Sequence, residues 1–153
     1  MPAWRAPTAG AQEGTRRSKD RATEIGEAIV AANDALDRLE RAADKLDDAR
    51  RWGMVDMLGG GFVTSLLKYR GIDDAQDEIN AAKRALQVFV GELDDVEGVG
   101  LNVELGGLLQ FTDLFLDNVI ADWIAQRRID DAQYQVARAI SEVERVRDQL
   151  CRM

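Results

Sequence analysis

The sequence predicts an all-α fold, a five-helix antiparallel bundle with coiled-coil-like seams. Three observations lead there. Only two prolines occur, Pro2 and Pro7, so beyond the extreme N-terminus nothing removes a backbone donor or locks φ against helix. Three long stretches carry apolar residues at an unbroken 3-4 spacing, the period of a helical seam. With 46% apolar and 31% charged residues in 153, the chain has the balance of one folded, helix-rich domain rather than a disordered segment.

Residues 1–17 lack any apolar period and read as a disordered basic tail. The expected bundle domain is 18–153, opening with a helix from about Ser18 to Arg51. One line of this helix carries Ile25, Ala32, Leu39 and Leu46, and the adjacent line carries Ala28, Ala35, Ala42 and Ala49. A column of alanines lets a second helix approach closely. Trp52-Gly53 is the expected end, because glycine commonly follows a helix terminus. After an apolar segment at 54–70, a cleaner seam runs through Ile72, Ala75, Ile79, Ala82, Leu86, Phe89, Leu93 and Val96. Glu97–Asn102 reads as a loop, followed by a very apolar helix at about 105–127. The last seam is Ile129, Ala132, Val136, Ala139, Val143, Val146 and Leu150.

An internal repeat appears at a constant offset of 57. Ile72-Asp73-Asp74-Ala75-Gln76 recurs as Ile129-Asp130-Asp131-Ala132-Gln133, and nine of 38 aligned positions match between 56–93 and 113–150. That is well above the two or three expected of unrelated sequences, so the two segments read as copies of one helical hairpin. In each copy the pentapeptide would sit at a turn, after Arg70-Gly71 and Arg127-Arg128, with Asp73 or Asp130 as cap and Gln76 or Gln133 completing a capping box.

The inventory for catalysis is thin. Histidine is absent, which removes Ser-His and Cys-His pairs, histidine bases and most zinc sites. Neither a phosphate-binding loop nor a dinucleotide fingerprint is present. Catalytic residues, metals and cofactors are therefore not expected, and the chain reads as a non-enzyme. Cys151 is the only cysteine, so no intrachain disulfide can form. The net charge of −8 hides a tail of +3 over residues 1–21, leaving −11 on the body. An acidic body repels phosphate backbones, so nucleic acid is not an expected partner. The longest stretch without a charge, Met57–Leu67, is far short of the roughly 18–20 residues that span a bilayer. A cytoplasmic protein is the expectation, with no more than peripheral membrane contact through Met54–Leu67.

Two groups of residues remain as candidates. Asp113, Asp117 and Asp122, with Asp56, lie on the most apolar segments. They could bind a metal, but di-metal bundles add histidines that this chain lacks, and rim or capping roles fit better. Trp52, Gly53, Asp56, Gly59, Gly60, Gly61 and Phe62 form a candidate interaction patch. Three helical glycines cost about 3 kcal/mol relative to alanine, so the string calls for a packing contact, a helix break or a binding groove.

Trp52-Gly53, Asp56, Gly59-Gly60-Gly61, Lys68 and the Ile72–Gln76 element together resemble a family of uncharacterised bacterial all-helical proteins. There a similar Trp-Gly…Asp…Gly-Gly-Gly string precedes a helical hairpin, and an acidic, aromatic-rich helix follows. The resemblance covers about 20–150 and departs at Tyr69, where the family has histidine. It implies a helical fold and no activity. The expected function is that of a non-enzymatic interaction or scaffold protein, a homo-oligomer or one joined to a helical partner. The alternative is a ligand- or metal-binding bundle using the aspartates near the glycine patch.

Overall fold

The computed structural model describes the backbone of residues 9–59 and 62–153 and the side chains of residues 20–51 and 71–153. Five helices follow in order: α1 (Ala9–Gly59), α2 (Phe62–Gly98), α3 (Leu108–Leu116), α4 (Val119–Ala125) and α5 (Ile129–Cys151), with no strand among the described residues. α1 packs against α2 and α5, and α3 and α4 pack end to end against the same two helices from the other side. In cross-section this is a four-cornered bundle whose fourth corner is a broken helix. The direction alternates at each step. Arg21 on α1 donates to the carbonyl of Val99 just past α2, Arg50 meets Asp130 at the start of α5, and Gln149 near the end of α5 reaches back to Glu104.

The seams expected from the 3-4 spacing line the interior. Ala28, Ala35 and Ala42 are fully buried and Ala49 nearly so, as are Ala32, Leu39 and Leu46 beside them. Ala75, Ile79, Ala82, Leu86, Phe89, Leu93 and Val96 face them from α2, and Ala132, Val136, Ala139, Val143, Val146 and Leu150 from α5. The fourth corner contributes Leu108, Phe111, Phe115, Ile120 and Ile124. Thr112 is buried with them, and its hydroxyl is satisfied by donating to the Leu108 carbonyl at 2.9 Å. Alanines at matching levels of three helices thus close the chain's own core.

The helix boundaries correct the sequence reading in four places. α1 begins at Ala9, so residues 9–17, expected in the tail, are helical; Ala9, Ala11, Gln12 and Glu13 are helix-tolerant and no proline follows Pro7. α1 also runs through Trp52-Gly53 to Gly59, and α2 runs through Arg70-Gly71-Ile72 without a turn. One helical glycine costs about 1 kcal/mol, whereas a break orphans four N–H and four C=O groups; continuing is the cheaper course at both places. Finally, 105–127 is not one helix. Asp117 closes α3 by donating to the Asp113 carbonyl at 2.8 Å, Asn118 turns left-handed at φ 59°, and α4 starts afresh. Asparagine is among the few non-glycine residues that tolerate this region, and Lys83 Nζ on α2 donates to its Oδ1 at 3.3 Å.

Of the expected duplicated hairpin, a correspondence of buried positions is seen along one helix of each copy. The buried positions of α2 from Ala75 to Leu93 and of α5 from Ala132 to Leu150 correspond at the offset of 57. The turn exists only in the second copy. There Arg127 takes φ 64°, while Arg128 N–H donates to Trp123 O at 2.7 Å and Arg127 N–H to Ile124 O at 3.0 Å, the pair of bonds of a Schellman motif. The expected capping boxes do not form either: α5 has no side-chain cap bond, and Asp73 lies inside α2, exposed.

The loop from Val99 to Gly107 is set from both ends. Gly100, at φ 86°, ends α2 with the Leu101 N–H bonded to Val96 O at 3.3 Å. Val103 plugs into the core. Arg145 Nη1 and Gln149 Nε2 each donate to the Glu104 carbonyl at 3.1 Å, and the Glu104 N–H donates to Gln149 Oε1 at 2.7 Å.

Candidate functional site

Among the described residues the interior is lined almost wholly by apolar side chains, and the polar groups lie at the surface. Most of it is charged, but Val30 and Val88 are 69% and 58% exposed, and both lie on the outward face of the α1–α2 pair. Val88 stands in an open groove with Ala81, Arg84 and Ala85 of α2 and with Asp34 and Arg38 of α1. Ala85, nearly buried, is part of its floor, and Ala31 of α1 is nearly buried as well. The helical period explains the arrangement: Glu24, Ala31 and Arg38 recur at seven residues along one edge of α1, while Arg84, Val88 and Glu92 recur at four along the facing edge of α2.

The α1–α2 face that carries the groove has opposite charge at its two ends. At one end the carboxylates of Glu24, Glu27 and Glu92 bring oxygens within 4.8 Å of one another. Glu24 and Glu92 are partly buried, and one oxygen of each, Oε2, is enclosed with no hydrogen-bond partner. Desolvation pushes the Glu24 carboxyl above the usual range, with repulsion from Glu27, Asp95, Glu92 and Asp20 adding to it. Glu92 is raised in the same way by desolvation, then by Glu27 and Asp95. These three could offer oxygen ligands to a hard cation, although such ions take six or more. At the other end stand Arg38, held loosely 3.9 Å from Asp34, and Arg84, which has no ion-pair partner among the described residues.

A second cluster lies across α3 and α5. The Arg138 guanidinium sits over the Phe111 ring at 5.5 Å and the Tyr134 ring at 5.8 Å, and its Nη1 donates to the Tyr134 hydroxyl at 3.1 Å. Ser141 and Glu142 complete a shallow dent. The arginine's planar face is spent on the chain's own rings, and Glu142 is paired with Arg145 at 3.1 Å.

Asp113, Asp117 and Asp122, singled out from sequence, are not brought into one cluster among the described residues. Asp113 on α3, Asp117 at its end and Asp122 in the first turn of α4 are all exposed. None belongs to a metal-sized cluster among the described residues; only Glu24, Glu27 and Glu92 do. Trp52, Gly53, Asp56, Gly59 and Phe62 lie where the structure describes backbone alone, and Gly60 and Gly61 lie outside the described residues altogether. The glutamate cluster escaped sequence reasoning because it joins residues far apart in the chain. Its local signal, Glu24 and Glu27 one turn apart, is that of any solvated helix face. Among the described residues no helix is long and apolar enough to cross a membrane. The chain matches no protein-family model, no curated protein and no solved structure.

Proposed function

We propose that this chain is a non-enzymatic helical interaction protein that works by self-association. One observation carries the reading: Val30 and Val88 stay exposed on the outward α1–α2 face, where Val88 lines a groove edged by both signs of charge. The interaction patch expected at Trp52–Phe62 lies outside the described side chains, and the alanine columns are used within the chain, so the reading rests on the outward face. The lack of histidine accords with a role in binding rather than in catalysis. The likeness to a helical bacterial family through Trp52–Gly61 and Ile72–Gln76 fits the same reading and adds no activity to it.

A second reading, a bundle that binds a ligand or metal, has one observation in its favour. That is the Glu24–Glu27–Glu92 cluster rather than the aspartates near the glycines. An intact mass spectrum under native conditions separates the two. A complex at a multiple of the chain mass with nothing else bound supports self-association. A single chain carrying extra mass supports the second reading and removes the first.

A further inference from the structure

We propose that a second copy of this chain docks on the outer α1–α2 groove, antiparallel and about a two-fold axis that passes through Val88 and Ala31. This rests on the self-association proposed above and names its surface.

The register of the two helices comes first. Glu24 and Glu27 meet Glu92, and Asp34 and Arg38 share the groove with Ala81–Val88; Ala31 is therefore level with Val88. At a rise of 1.5 Å per residue, Glu92 lies about 6 Å to one side of Val88 along α2 and Arg84 about 6 Å to the other. Along α1, Glu24 lies about 10 Å from Ala31 toward the Glu92 end and Arg38 about 10 Å toward the Arg84 end. Acid and base are thus placed symmetrically about one level on both helices.

A two-fold axis in the plane of this face and perpendicular to the helices reverses direction while keeping α1 on α1 and α2 on α2. It sets Arg84 of each copy against Glu92 of the other, Arg38 against Glu24, and Val88 on Val88. Isologous contacts need this self-complementarity, since the same patch serves both sides. The other two-fold arrangement, parallel with α1 on α2, sets Glu27 against Glu92 and has no such match. The antiparallel docking brings Glu27 toward the other copy's Asp34, which Arg38 attends in its own chain.

Two further facts agree. The enclosed oxygens of Glu24 and Glu92 have no donor among the described residues, and an arginine from a second copy supplies one. Both carboxyls are raised first by desolvation and then by acidic neighbours, and the guanidinium groups offset the second of these. Small Ala85 in the groove and small Ala31 on α1 let the two faces approach with Val88 as the apolar contact.

The test uses light scattering after size exclusion on the full chain at low salt, with helix content followed by circular dichroism. The parent is expected to dimerise, more weakly as salt rises. Arg38→Glu with Arg84→Glu in one chain, and Glu24→Arg with Glu92→Arg in another, should each weaken dimerisation at least about tenfold alone. Mixed, the two variants should form a heterodimer. Val88→Lys changes one exposed side chain and should also yield folded monomer. Variants that dimerise like the parent overturn this surface while leaving self-association intact. A parent that stays monomeric overturns both. A dimer that dissolves in a divalent-cation chelator overturns the arginine pairing, because a shared cation then holds the glutamates.

Discussion

The backbone N–H of Arg128 donates to the carbonyl of Trp123 at 2.7 Å, closing α4 around Arg127 at φ 64°. A side chain with a Cβ pays for that conformation, by about 1–2 kcal/mol, and nothing in the turn requires an arginine there. Arg127→Gly should therefore stabilise the protein by about 1 kcal/mol, the residual cost being glycine's larger unfolded-state entropy. Chemical denaturation measures it; a loss of stability would mean that the Arg127 side chain contributes a contact outweighing its strain.

Ala35 is fully buried at the centre of the α1 column. Ala35→Leu should overpack the contact with its neighbours and cost about 1–3 kcal/mol. An unchanged melting temperature would show that the neighbouring helices can part there without penalty.

Two glycines should respond in opposite directions. Gly26 lies inside α1 with open space where a Cβ would stand, so Gly26→Ala should stabilise by about 0.5–1 kcal/mol through helix propensity. Gly106 has φ 56°, and a Cβ there would run into the Arg145 guanidinium. Gly106→Ala should destabilise by about 1–2 kcal/mol and speed hydrogen exchange at Glu104, whose carbonyl Arg145 holds. Equal effects of one sign at both sites would refute this reading of the loop.

The seams were legible because burial and period are the same fact seen twice: every position from Ala75 to Val96 on the expected line is buried. The breaks were not. Gly53 and Gly71 look like terminators, yet a single glycine weakens a helix less than ending it does. Asn118 gives little local warning, since it sits between helix-tolerant residues and breaks the chain only because α3 and α4 must both bury apolar faces between α2 and α5. The repeated Ile-Asp-Asp-Ala-Gln opens a helix at Ile129 but lies inside one at Ile72, so identical sequence took its state from what preceded it. The meeting of Glu24 with Glu92 depends on where the α1–α2 hairpin turns; a boundary misplaced at Trp52-Gly53 shifts that register and hides the groove.

Glu24 and Glu92 have carboxyls raised above their ordinary value of 4.5, first by desolvation and then by acidic neighbours. Folding therefore takes up protons at these sites, and their contribution to stability falls as pH rises from about 4.5 through the raised values. Above that window their charged forms work against the fold. At a dilution where the chain is monomeric, Glu92→Gln should be more stable than the parent at neutral pH, with the gap closing on acidification below the ordinary carboxyl range. A gap that stays constant from neutral pH to pH 4 would exclude this origin.

Sedimentation equilibrium of the full chain, loaded from about 1 µM to about 1 mM so that mass action can act on a weak complex, tests self-association most directly. The expected result is a single-chain mass at the dilute end that rises toward twice that value, with the midpoint moving to higher concentration as salt is added. A mass that stays at one chain across the whole range, at low salt as well as high, would contradict it.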